Sequence, residues 1–114
     1  MKGAGLVLAL AAAVPLALAF QAGDGRAAAA MDGKALFQAK CMMCHGKTGM
    51  GTGLLARRVK PAELLLRTDL KSDFVVQAAR LGIGNMPAIP RGQISDADLK
   101  KIGDYLATPP ARRK

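Results

Sequence analysis

Cys41, Cys44 and His45 lie within the five residues CMMCH, and they are both of the cysteines and the only histidine of the 114-residue chain. A redox dithiol of the thioredoxin kind uses two cysteines at this spacing, but it requires a strand before the motif and a parallel sheet around it. Neither pattern is present. A zinc site needs four ligands, and no further Cys or His is available to complete one. A structural disulfide leaves the adjacent histidine without a role. Covalent haem attachment uses all three residues. The two thiols add to the vinyl groups of one porphyrin, and the histidine that follows is held beneath the ring, where one imidazole nitrogen reaches the iron. The expectation is one haem c, attached at Cys41 and Cys44, with His45 as an axial ligand.

The other axial ligand is sought by elimination. Without a second histidine, methionine or an open site remains. Met42 and Met43 are spacer residues of the motif, Met50 follows it closely, and Met31 precedes the first helical pattern. Met86 stands apart, in GNMPAIP, where a helical pattern has ended and Pro87 stiffens the backbone. It is the candidate ligand; the competing role is that of a loop methionine filling a gap in the core. A His/Met pair fills both axial positions and thioether sulfur raises the reduction potential, so the expected function is electron transfer, not catalysis.

The elements that must position these residues read as helices. Asp32 is an N-cap for GKALFQAK, with Leu36 and Phe37 on one face. PAELLLR has Pro61 at a first helical position. Ser72 is placed to cap DFVVQAARL, which stops at Gly82, a left-handed C-terminal position. In DADLKKIGDYLA, Ser95 and Asp98 resemble a capping box, Leu99, Ile102 and Leu106 share a face, and Pro109 and Pro110 end the pattern. No stretch alternates as a strand does. The fold class expected is all-α, with four short helices around one covalently bound haem.

Ahead of these elements, Lys2, the apolar run from Gly3 to Phe20 and small residues at Ala17 and Ala19 read as a signal peptide, 1–19, with cleavage at 22 as the alternative. An uncleaved anchor competes, since about 18 apolar residues is the lower edge of a membrane span. With cleavage the expected location is the periplasm, without stable membrane insertion. Residues 20–31 read as a flexible leader, 32–108 as the folded domain and 109–114 as a basic tail. A domain of this size has a marginal core. With no Trp, and only Phe37, Phe74 and Tyr105 as aromatics within it, part of the apolar bulk is expected from a buried cofactor.

The formal net charge is +9, and loss of the signal peptide removes only Lys2 among charged residues. Lys40, Lys47, Arg57, Arg58, Lys60, Arg67 and Arg91 surround the haem-binding segments. A redox partner with an acidic docking surface is expected, and no nucleic acid.

CMMCH, GNMPAIP and a final amphipathic helix with Tyr105 together resemble the class I c-type cytochromes, over about residues 33–108. The resemblance implies that the first and last helices cross beside the haem, with Gly33 and Phe37 against Tyr105. Gly103 is a second place for a close crossing. Family members commonly carry a proline after the motif, whose neighbourhood supplies a carbonyl to the proximal histidine; Leu54 stands in that place here, and another backbone carbonyl is expected to orient His45. Arg57 and Arg58 are candidates for haem propionate contacts, with solvated charge as the alternative. GMGTGLLARR and the segment from Leu81 to Pro110 are also similar to the small cytochrome subunit of p-cresol methylhydroxylase-type flavocytochromes. That similarity implies a dedicated subunit accepting electrons from a flavin-dependent dehydrogenase. The alternatives are a freely diffusing carrier to a terminal oxidase or reductase, a haem sensor or enzyme, and a thiol–disulfide oxidoreductase.

Overall fold

The computed structural model describes residues 31–114. The expected signal peptide, 1–19, and all but the last residue of the expected leader lie outside the described residues. Five α-helices follow in order, α1 (Gly33–Lys40), α2 (Met42–His45), α3 (Met50–Leu55), α4 (Ser72–Leu81) and α5 (Asp96–Ala107). Two 3₁₀ turns, Leu64–Leu66 and Pro110–Arg112, complete the set. Among the described residues there is no strand, only an isolated antiparallel bridge between Ile83 and Met86. The all-α class is as expected. Also among these residues, no helix is long and apolar enough to cross a membrane.

The capping signals at both ends of the domain act as read. Asp32 accepts the Ala35 amide at 2.8 Å, and the Ser95 side chain accepts that of Asp98 at 3.1 Å, each satisfying a donor left free by the first turn. Leu36 and Phe37 of α1, Leu99, Ile102 and Leu106 of α5, Ala79 of α4 and the loop residues Leu70 and Ile94 form the buried core. Phe37 is fully buried, whereas Phe74 is 48 % exposed and Tyr105 packs half-buried against the core, so Phe37 is the one fully buried aromatic ring among the described residues.

The crossing of α1 with α5 is close. A β-carbon on Gly33 would meet the Lys101 carbonyl and lie 2.7 Å from Tyr105 Cβ, and the Phe37 and Tyr105 rings stand 6.2 Å apart, centre to centre. Gly103 also marks a close approach, but to a different element. A β-carbon there would lie 2.7 Å from Ser72 Oγ and 2.9 Å from the Ser72 carbonyl, at the start of α4. α5 is therefore gripped on two sides at positions where only hydrogen fits.

Three local expectations are corrected. PAELLLR forms no α-helix; only the 3₁₀ turn Leu64–Leu66 appears, and Pro61 stands outside it. So short a segment is not helical on propensity alone. Its conformation follows tertiary contacts, Leu64 and Leu65 packing on the core while Arg67 grips Asp69 with two hydrogen bonds of 2.8 and 2.6 Å. Ser72 does not cap α4 but lies in its first turn, where its hydroxyl donates to Asp104 at 2.6 Å. Conversely, α3 forms across two glycines, Gly51 and Gly53, each of which disfavours helix by about 1 kcal/mol relative to Ala. Burial of Thr52 and the ladder bonds Gly53 N to Gly49 O and Ala56 N to Thr52 O hold it.

The C-terminal residues differ as well from a loose basic tail. The Arg113 guanidinium donates to the carbonyls of Leu65, Arg67 and Leu106 and, through Nε, to that of Tyr105, and it lies 5.7 Å from the Tyr105 ring centre. The last carbonyls of α5 have no partner within the helix, and a cation there also complements the helix dipole.

Candidate functional site

Cys41 ends α1, with its amide still bonded to the Phe37 carbonyl at 2.9 Å. Its own carbonyl accepts from the amides of Cys44 and His45, at 3.2 and 2.9 Å, which winds the intervening residues into α2. The motif is thus a helical turn grafted onto α1, with Cys41 packed against the core and Cys44 exposed. Among the described residues no group of three or more His, Cys, Asp or Glu is placed to hold a metal ion. The two cysteines are not joined in a disulfide; Cys44 is exposed and Cys41 half-buried. Burial and then the neighbouring Cys44 push the Cys41 thiol up to about 11.

His45 is half-buried, and loss of water around it lowers its pKa, so the ring is neutral at pH 7, the form that binds iron. Its Nδ1 is buried without a hydrogen-bond partner. The expected orienting carbonyl does not reach it. The Leu54 carbonyl, in the place that resemblance assigned to a proline, instead accepts from Arg57 N at 3.3 Å as α3 winds to its end. What lies against the ring is α3 itself, since a β-carbon on Gly51 would sit 3.2 Å from His45 Cε1. One residue on, the Thr52 hydroxyl is the other buried polar group without a partner. Thr52 was not legible as a site residue, being a lone polar residue among glycines. Two orphaned polar atoms, one on α2 and one on the α3 segment that packs against the His45 ring, fit a group bound near them better than a self-sufficient core.

Met86 is half-buried and packs on the core, in the loop after α4. Gly82 ends α4 with φ +76° and ψ 159°, so its φ is positive as expected although the residue is not in the left-handed helical region. A side chain there is excluded twice, by that φ and by the Met86 carbonyl, 2.8 Å from where a β-carbon would stand. Ile83 and Met86 exchange both backbone hydrogen bonds, at 3.0 and 2.9 Å, and Pro87 follows in the open. The methionine is therefore set in a small backbone ring instead of a flexible loop.

Arg57 and Arg58 are exposed in the turn that follows α3. Lys40, Lys47 and Lys60 are exposed too, and none of these five forms an ion pair among the described residues. Arg67 and Arg91, counted with them from sequence, are neutralised locally by Asp69 and Asp96.

A first helix crossed by a last one, with Cys-X-X-Cys-His on the turn between α1 and α3, defines the haem-binding domain of a c-type cytochrome. Residues 28–106 match the family described as cytochrome C oxidase, cbb3-type, subunit III, and the chain belongs to that family. It is a class I c-type cytochrome domain, which binds haem c covalently and transfers electrons, and it is not a catalytic enzyme. No curated protein and no solved structure matches the chain.

Proposed function

We propose that this protein is a periplasmic monohaem cytochrome, exported by its N-terminal segment, in which Cys41 and Cys44 form the two thioethers and His45 and Met86 are the axial ligands. The observation that supports the assignment is that Cys41, Cys44 and His45 are wound into one helical turn, with the His45 ring half-buried against α3 and its Nδ1 lacking a partner. Haem c supplies a one-electron couple whose potential a methionine ligand raises. The chain's own residues do the rest. His45 offers an unprotonated nitrogen without competition from a proton, Met86 is presented by a braced loop, and Phe37, with the aliphatic core, excludes water from one side. Arg57 and Arg58, free of acidic partners, are available to propionates.

The partner is a protein with an acidic surface, since Lys40, Lys47, Arg57, Arg58 and Lys60 give the segments around the motif a positive field. The reading favoured is a dedicated subunit taking single electrons from a flavin-dependent dehydrogenase that oxidises alkylphenols or similar compounds. A second reading is a freely diffusing carrier to a terminal oxidase or reductase; the description of the matched family, which names an oxidase subunit, points to the oxidase as the acceptor.

Matured holoprotein run on a denaturing gel keeps its haem if both thioethers form; loss of all colour overturns covalent attachment. Met86→Ala creates a high-spin component and carbon monoxide binding, whereas Met50→Ala leaves the spectrum unchanged; the reverse result moves the ligand to Met50. For the partner, a dedicated subunit co-purifies with its dehydrogenase and is reduced in a first-order step insensitive to salt. A bimolecular reduction that slows steeply as the Debye length falls from about 10 Å at 0.1 M to about 3 Å at 1 M leaves the mobile carrier.

A further inference from the structure

Arg80, in the last turn of α4, sits in an otherwise small and apolar sequence, VVQAARLG, and no step of the electron-transfer reading uses it. Its side chain is only 12 % exposed. The guanidinium donates in three directions across the chain: Nη1 to the Ile89 carbonyl at 3.0 Å, Nη2 to the Ile94 carbonyl at 2.8 Å, and Nε and Nη2 to Asp96 Oδ1 at 3.1 and 2.7 Å. Beside it, Ile89 N returns a hydrogen bond to the Ala79 carbonyl at 2.8 Å. The segment from Gly82 to Ile89 is thereby closed at both ends onto the last turn of α4. Met86 is within it, held by its reciprocal bonds to Ile83.

We propose that Arg80 is the positioning residue for Met86: its fork ties the far side of the loop, at Ile89 and Ile94, and the start of α5, at Asp96, to α4, and so holds the thioether at the iron. The inference rests on the reading of Met86 as an axial ligand. A planar guanidinium serves two carbonyls and a carboxylate from three separate nitrogens, whereas an ammonium must serve all its acceptors from one nitrogen and cannot match that spread. Without the fork the loop carbonyls lose buried donors and the ring opens at Ile89 while α4, α5 and the α1 crossing persist. A sulfur ligand is then free to leave before the protein unfolds.

The test uses the holoprotein and four variants, Arg80→Gln, Arg80→Lys, Arg91→Gln and Met86→Ala. Arg91 shares Asp96 but is 75 % exposed and touches no loop carbonyl, so it controls for the ion pair alone. Three signals are followed, the sulfur-to-iron charge-transfer band, carbon monoxide uptake by the ferrous form, and helical circular dichroism during heating. Arg80→Gln loses the band well below its helix melting temperature and takes up carbon monoxide about tenfold more readily, equivalent to about 1.4 kcal/mol. Arg80→Lys moves the same way by a smaller factor, and Arg91→Gln matches the wild type. If Arg80→Gln does not accumulate as folded protein, Arg80→Lys decides by the same signals. A folded Arg80 variant whose band melts together with its helices, with unchanged carbon monoxide uptake, overturns the proposal while leaving Met86 as ligand. A band that survives Met86→Ala overturns both.

Discussion

Gly33 and Tyr105 touch so closely that a methyl group on the glycine would lie 2.7 Å from the Tyr105 β-carbon. Alanine is the better helix former by about 1 kcal/mol, but forcing a methyl into a packed crossing costs about 1–3 kcal/mol. Gly33→Ala therefore lowers the guanidinium midpoint of the holoprotein, and Gly33→Val lowers it further. A midpoint that rises with alanine shows that the crossing has slack.

The second tight approach gives a coupling measurement. Gly103→Ala drives a methyl towards the Ser72 hydroxyl and carbonyl, with an expected loss of about 1–3 kcal/mol. Ser72→Ala alone loses about 1 kcal/mol with its hydrogen bond to Asp104. Made together, the two changes cost less than their sum, because removal of the hydroxyl gives the new methyl room. Strict additivity in that double-mutant cycle, read by chemical denaturation, contradicts the contact.

Acid acts on the Met86 loop through Asp96. Hydrogen bonds from Arg91 and then Arg80 hold its carboxyl below the usual range, against a small opposing effect of burial. A folded pKa below the unfolded one, about 3.9, contributes stability that is complete above that value and lost as pH falls through the folded one. The carboxylates of Asp104, bonded by Lys100 and Ser72, and Asp69, bonded by Arg67, are shifted in the same direction. The carboxylate contribution to the thermal midpoint of the holoprotein should therefore be lost only below about pH 4, beneath an earlier decline that starts near pH 6.5 as unfolded His45 gains its proton. Asp96→Asn should flatten part of that fall and start from a lower plateau. An unaltered acid limb in the variant removes Asp96 from the explanation.

Arg113 was expected as plain solubilising charge. Because its guanidinium meets carbonyls from α5 and from the 65–67 segment, Arg113→Ala should cost about 1–3 kcal/mol in thermal or denaturant unfolding. Arg112→Ala, at an exposed neighbouring position, should change little. Equal effects from the two arginines point to net charge instead of docking.

Much of this architecture was legible where one local rule sufficed. Asp32 and Ser95 cap their helices because a side-chain oxygen at that position meets an otherwise free amide, and Leu36, Phe37, Leu99, Ile102 and Leu106 are buried because their spacing matches one helical face. The motif residues were legible because few chemistries require two thiols and an imidazole so close. What failed depended on partners distant in sequence. Ser72 could not be distinguished from a cap without Asp104, residues 61–67 lacked enough local helix to resist the core, and α3 formed despite its glycines because Thr52 is buried. Arg80 offered one local signal, a charge in the last turn of an apolar helix, but its acceptors lie 9 to 16 residues away.

The α1–α5 crossing also sets an order of events during biogenesis. The core cannot close until Leu106 is available, yet Cys41 and Cys44 belong to the first third of the folded segment. At about 5–20 residues per second, the roughly 60 residues from the motif to Leu106 take on the order of 3–12 s to synthesise. Throughout that interval, and again whenever the chain is threaded amino end first through a narrow passage, the two thiols are presented on an open strand of polypeptide. Haem attachment before the final helix packs would act on an unfolded segment, and closure of that helix would then seal the product.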